Sequence, residues 1–470
     1  MSTLKVNTID SQSGGDITVN QNLVFVSGKG FTSEVNEIGV PGGQGFGVGI
    51  CPETPTGFSE LTGTQDITSA NYGNYIYADG SIMVWVPRFY YKIESDNSVD
   101  IKGEKDFTST AEANAAGYAL HRAFVDGGEE KRGFMVDKYG CSKAVWGAGY
   151  IASSIKNGLP LSSHADHNPV ADLTACTGNY SYEFVDAAHA RDGDDGAVNA
   201  NSLFFCCTRF VYSALALLSL AHGQASSSTI FCAWYHATYN YPKGNNVNGT
   251  YKDTDDSDVE YVSDGYTGGG ATSGKCGSGT PFARTTHNGQ GSGVADLNGN
   301  MWEVSLGLTR AGANATDSTA GGGAASDFYV LKESVAAKDL TSGFDSDNHA
   351  WGQAAHLATL YDSITLPVTH ASSYLLFGNG ANQVLSEAVS GSGYNLTGLG
   401  IYKDTDGKSA GGTNLFGKDG VYEYFVANLC VISGGSWHNA AAAGVWAATL
   451  GDCRSNAPTS DGFRSACYPV

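Results

Sequence analysis

Positive charge is scarce in this chain: 26 Lys and Arg stand against 47 Asp and Glu in 470 residues, a formal net charge of −21 at pH 7. So acidic a chain repels phosphate backbones, and no Lys/Arg stripe interrupts it, so nucleic acid is not expected as a partner. Long apolar runs are missing too. The longest helical-looking one, Val211 to Ala221, is too short to span a bilayer, and Met1-Ser-Thr-Leu-Lys-Val-Asn-Thr-Ile9 holds no apolar stretch of signal-peptide length. No membrane insertion is expected, and the chain is expected to be made in the cytoplasm. Proline is sparse, at 11 residues against 63 Gly, 25 Tyr and 20 Phe, which points away from a helical bundle and toward a loop-rich globule packed on aromatics. The ten cysteines are scattered with no CxxC pair, which excludes a zinc ribbon and gives no sign of a disulfide lattice; buried thiols are expected.

What is present begins with short apolar–polar alternations, Leu4/Val6, Ile17/Val19 and Leu23/Phe25, separated by Gly-containing turns. Such strands have too little core to fold alone, and other copies of the chain around a symmetry axis are the economical source of neighbours. Residues 1–41 are therefore read as a β-rich stem that trimerises and docks, 42–50 as a flexible Gly-rich joint, and 51–470 as the body. In the body, 81–93 and 133–139 read as strands, and Phe205 to His222 as a helix with Val211, Ala214, Leu215 and Leu218 on one buried face and Gly223 as its stop. Segments 253–278 and 311–326 read as exposed, mobile loops.

Few residues carry recognisable chemistry. Asp296, Asn298, Asn300 and Glu303 crowd hard oxygen atoms around one turn, with Trp302 to bury it, and calcium is the candidate cofactor for such a set; the spacing is not that of an EF-hand, and Asn/Asp turns bonded to their own backbone are the plainer reading. His164 and His167 form the closest histidine pair and read as loop histidines on a polar surface. No Gly-x-Ser-x-Gly segment is read as a nucleophile elbow, no segment as a phosphate-cradling loop and no Cys/His pair as a nucleophile pairing, so the chain is read as no enzyme.

The stretch Gly434 to Arg464 combines structural ends with an arbitrary middle. Trp437, Trp446, Arg454, Phe463 and Arg464 have the size and donor geometry of a frame. His438, Asn439, Ala440, Ala442, Thr449, Gly451, Asp452, Pro458, Thr459 and Ser460 follow neither a helical nor a strand period and are read as replaceable, ligand-facing positions.

Asp296-Leu-Asn-Gly-Asn-Met-Trp-Glu303, Gly434-Gly-Ser-Trp437 and Gly462-Phe-Arg464 together resemble the formylglycine-generating-enzyme type of C-type lectin fold, across a body running from about Ile82 to the C-terminus. The expected class is α+β, loop-rich, preceded by the small N-terminal β stem. Within that superfamily, residues 434–464 resemble the variable region of retroelement-diversified proteins, the class that includes phage tropism determinants. The resemblance implies that adenines of AAY-type codons are randomised, so Trp, Met, Lys, Glu and Gln are forbidden at varied positions. All ten proposed positions obey that rule, and Trp437 and Trp446 do not, which assigns them to the frame.

The start of the chain is similar to the starts of phage tail-fibre proteins. The two resemblances imply a homotrimeric receptor-binding protein at the tip of the virion's tail fibre, assembled in the host cytoplasm. It would join other fibre proteins through its stem and bind a host-surface receptor, protein or glycan, through the diversified face. A metal-dependent oxidase of the superfamily is the first alternative. Its copper site requires two closely spaced cysteines near the C-terminus, whereas Cys453 and Cys467 lie fourteen apart and Cys430 outside the block. A cellular protein that displays ligands on the same diversified fold is the second.

Overall fold

The β-branched and aromatic residues of 81–93 build two strands, Ile82–Pro87 and Tyr90–Ile93, separated by Arg88 and Phe89 just after the proline. The first lies inside an antiparallel six-stranded sheet ordered Phe58–Glu60, Asn74–Tyr77, Ile82–Pro87, Gly133–Asp137, Ser465–Cys467, Phe204–Cys206. Here, and throughout, the computed structural model describes residues 36–320, 324–345, 347–378 and 382–469.

A second sheet of seven short strands runs Lys408–Ser409, Tyr374–Phe377, Gly420–Tyr422, Ala448–Thr449, Ile432–Ser433, Trp302–Val304, Asp461–Gly462. Two of its pairings are parallel, Gly420–Tyr422 with Ala448–Thr449 and Trp302–Val304 with Asp461–Gly462. The stretch 434–464 is therefore held at both ends. It leaves the sheet at Ile432–Ser433, returns to it at Ala448–Thr449 and again at Asp461–Gly462, and runs on into the six-stranded sheet at Ser465–Cys467. The whole is mixed α+β, rich in strands and loops, with few helices.

Arg209–Ala225 is the longest helix among the described residues, started by the Thr208 hydroxyl accepting from the Val211 N–H at 3.3 Å. It differs from the sequence reading in two respects. Phe205 and Cys206 belong to a strand, and the helix is buried all round from Arg209 to Gly223 rather than along one face, because sheets and loops enclose it. Gly223 does not stop it. A Cβ there would stand 2.7 Å from the Asn240 carbonyl oxygen, so its glycine serves close packing. Arg209, fully buried, donates to the carbonyls of Leu399 (2.7 Å), Trp446 (2.8 Å) and Ala447 (3.2 Å), which ties the helix to the 434–464 block.

Two organisational readings change, while the stem over 1–41 lies outside the described residues as far as residue 35. The joint at 42–50 is part of the body, which begins at Asn36: Phe46, Val48 and Ile50 are in its main core, and Gly45 N–H donates to Gln290 Oε1 at 2.8 Å. Its glycines make tight turns, with Gly42, Gly45 and Gly47 all at φ near +80°, rather than a flexible tether. Segment 253–278 is not a mobile loop either, since Asp253, Val259, Tyr261, Ser273 and Cys276 are buried in it. All ten cysteines are buried and free.

Candidate functional site

The frame of the 434–464 stretch rests on charge and aromatic burial. Arg464, wholly buried, grips both carboxylate oxygens of Glu303 at 2.5 and 2.7 Å and donates to the carbonyls of Asp137 (2.9 Å) and Ala295 (3.0 Å). Tyr212 donates its hydroxyl to the same carboxylate. Burial opposes the guanidinium's charge, but the Glu303 carboxylate outweighs it and raises the Arg464 pKa. Trp437 packs with Ala271, Met301 and Tyr266, Trp446 lies 5.5 Å from Phe377, and Phe463 stacks on Phe184 at 4.7 Å. Arg454 sits over the Tyr182 ring at 4.3 Å and donates to the carbonyls of Ala315 and Ser342. All five proposed frame residues are buried.

The turn from Asp296 to Glu303 serves the same frame. Asp296, Gly299 and Asn300 take φ of 63°, 78° and 67°, the left-handed region that Asn, Asp and Gly enter most readily, which is why this motif has the composition it has. Its oxygens already have protein donors. Asp296 accepts from Gly277 N–H (2.6 Å) and Tyr261 (3.1 Å), Asn298 from Asn246 (2.9 Å), Asn300 from Gly274 N–H (2.6 Å), and Glu303 from Arg464. Among the described residues no group of three His, Cys, Asp or Glu side chains is placed to hold a metal ion. These hydrogen bonds make the turn a hub beneath the site.

The ten ligand-facing positions divide. His438 and Ala440 are exposed, and Asn439, Ala442, Gly451, Asp452, Pro458 and Thr459 half-buried; Thr449 and Ser460 are buried. Thr449 is an inward correction to the sequence reading: it belongs to the strand Ala448–Thr449, and its hydroxyl accepts from Gly451 N–H (3.0 Å) and donates to Asp452 Oδ2 (3.3 Å). Ser460 is a second, because its carbonyl accepts from Trp302 N–H at 2.8 Å beside the parallel pairing of Trp302 with Asp461. Short polar residues gave no period from which burial could be read.

Two segments of the block meet on a pair of tyrosines that the sequence did not single out. Tyr374 and Tyr422 are cross-strand partners with rings 4.9 Å apart. Asn439 donates to the Tyr374 hydroxyl at 3.1 Å, and Gly451 lies against the Tyr422 ring, where an added Cβ would stand 3.0 Å from Cδ1. Tyr424, two residues on, continues the strip at 6.0 Å from Tyr422, and His370 at 5.0 Å from Tyr424. All four rings are half-buried. The alternation Tyr422-Glu-Tyr424 was a visible strand signal, but its cross-strand partner was not.

On the other side of Trp437, Tyr266 stacks on His167 at 4.3 Å and 12°. His167 is buried rather than a surface loop histidine, and it does not share a site with His164. Its Nε2 meets Asp264 Oδ2 at 2.7 Å and its Nδ1 meets the Thr459 carbonyl at 2.7 Å, so it pins the third varied segment to the 264–273 loop. Ser273 donates to the same Asp264 oxygen at 2.6 Å. Serine and carboxylate share one ring nitrogen here, whereas a catalytic triad sets them on opposite ones, so the constellation acts as a clamp.

Electrostatically, the face is held by groups that resist ionisation. Burial raises the pKa of Asp452, and burial followed by the nearby Asp452 charge raises that of Asp461 well above the carboxylate range. His438 is exposed as a whole, but partial desolvation of its ring, which lies against Trp437 and meets the Ser436 hydroxyl at 3.1 Å, lowers its pKa and favours the neutral imidazole. The face therefore offers amides, hydroxyls, a neutral ring and tyrosine edges. No protein-family model matches the chain, and no curated protein sequence matches it.

Proposed function

We propose that this chain is the receptor-binding tip of a phage tail fibre: a homotrimer joined through its N-terminal stem, with a body of the formylglycine-generating-enzyme type of C-type lectin fold, that binds a host-surface protein or glycan without chemistry. The observation that carries this reading is the convergence of two proposed varied segments, 438–442 and 451–452, on the Tyr374–Tyr422 pair above a frame whose own residues are buried. A binding face that changes its side chains needs a backbone that does not respond, and Arg464, Arg209 and Trp437 supply that independence. Side chains as small as Ala440 and Ala442 give little energy per contact, so affinity comes from the tyrosine anchors and from repetition across the trimer.

Binding of the purified chain to cells of the host provides the test. The combined substitution His438→Ala, Thr459→Ala should reduce or redirect binding at nearly unchanged melting temperature; undiminished binding to the same cells would remove this face from recognition. Diversification has its own test in the neighbouring DNA, where a near-copy of the codons for 434–464, differing at adenines, should lie beside a reverse-transcriptase frame.

A further inference from the structure

Four large apolar side chains stand exposed around one turn of the body: Val40 (71% exposed), Ile67 (39%), Ile230 (75%) and Phe231 (36%). Their positions are fixed by packing. The imidazole of His222 joins the two loops that carry three of them, accepting from Gly42 N–H at Nδ1 (3.0 Å) and donating from Nε2 to the Phe231 carbonyl (2.8 Å), while its ring stacks on Phe46 at 5.3 Å and 9°. Ile67 packs on Gly45, where an added Cβ would stand 2.6 Å from Ile67 Cγ1. A rigid, water-facing apolar cluster of this kind is costly unless something covers it.

Charge narrows what covers it. In a chain of net charge −21, residues 39–47 and 224–231 contain no charged side chain at all. Glu37 pairs with Lys105 at 3.1 Å, and Asp66, beside Ile67, accepts from the Thr68 hydroxyl at 2.8 Å and stands as an exposed anion at the edge of the cluster. Two copies of so acidic a protein repel each other over most of their surfaces, and a region poor in carboxylates is where they can approach closely. Chain continuity points the same way. The described body starts at Asn36, four residues from Val40 and so within about 14 Å of chain, and 35 residues precede it.

We infer that the Val40–Ile67–Ile230–Phe231 cluster is the body-to-body contact between copies of this chain, formed where the three bodies of the fibre tip meet. The inference rests on the trimeric reading given above and adds the surface that closes it.

The test is photocrosslinking of the full chain with benzoylphenylalanine in place of Ile230, using a mixture of isotope-labelled and unlabelled copies, alongside sedimentation. The expected result is an oligomer whose crosslinks join labelled to unlabelled copies at 39–47, 61–72 or 224–231. The same probe in place of Val145, which is equally exposed but remote in the chain, should give none there, and adding Val40→Asp should abolish the Ile230 crosslinks. An oligomer whose Ile230 probe crosslinks only within its own copy overturns the contact and leaves the trimer standing. A wild-type chain that sediments as a monomer overturns both.

Discussion

Asn439 donates its side-chain amide to the Tyr374 hydroxyl across 3.1 Å, linking a residue of the proposed varied block to one 65 positions earlier in the chain. Tyr374 is therefore both a support for the 438–442 turn and, with its ring half-buried beside Tyr422, a contact surface in its own right. Tyr374→Phe removes one hydrogen bond to a partly solvated group and should cost about 0.5–1.5 kcal/mol at most. Tyr374→Ala should in addition weaken receptor binding by more than Tyr374→Phe does. Cell-binding titrations of both variants check this, and equal losses would make the hydroxyl the sole contribution.

Arg464 and Glu303 form a buried ion pair under the site. Removing one partner leaves the other charge buried and unpaired, so Arg464→Met should destabilise by about 3–5 kcal/mol. Equilibrium denaturation measures it, and a loss under about 1 kcal/mol would show that the frame does not depend on this pair.

The frame was more legible in the sequence than the face it supports. Large residues with few permitted environments, Trp437, Trp446, Phe463 and Arg464, announce burial by their size or their need for partners. Thr449 and Ser460 do not, because a small hydroxyl residue satisfies itself equally in a strand or in water. The same ambiguity hid the joint: five glycines between 42 and 49 suggest freedom by composition, yet two of them bond to loops far along the chain, Gly42 to His222 and Gly45 to Gln290. His167 and Tyr374 escaped for a related reason. Their partners are 97 and 65 residues away, and spacing in one sequence carries no information about such contacts.

Trp437 and His438 are neighbours with opposite environments, which gives a paired prediction. Trp437 is buried against Met301, Ala271 and Tyr266, so Trp437→Ala should cost about 3–5 kcal/mol. His438 is exposed, and His438→Ala should shift stability by no more than about 0.5 kcal/mol. Thermal melts of the two variants decide it, and a comparable loss in both would place His438 in the core.

Ala440 holds φ at 49°, a conformation that costs an ordinary L-residue about 1–2 kcal/mol and that Asn or Gly adopts more readily. Ala440→Asn should therefore raise stability, by up to about 1 kcal/mol. Asn is also the residue an unchanged AAY codon encodes, so the backbone at this position suits the residue from which variation would start. A melting temperature lowered by Ala440→Asn would mean that the turn changes its backbone when its side chain changes.

Burial lowers the pKa of His222 to about 4, and the hydrogen bond it gives to the Phe231 carbonyl only partly offsets that. Its value in the unfolded chain is near 6.5, so between those limits the unfolded state binds more protons, and this residue's contribution to stability is full above pH 6.5 and is lost as pH falls toward 4. His121 and His287, with pKa values lowered by burial to about 3, add to the same slope. Asp419 and Asp461 act in the opposite sense, since their raised values make stability fall as pH rises above the ordinary aspartate range. A difference measurement separates the two. Wild type should lose more stability than His222→Gln between pH 6.5 and 4, because protonation removes the acceptor that Gly42 N–H needs, and parallel pH profiles would show that His222 binds its proton equally in the folded and unfolded chains.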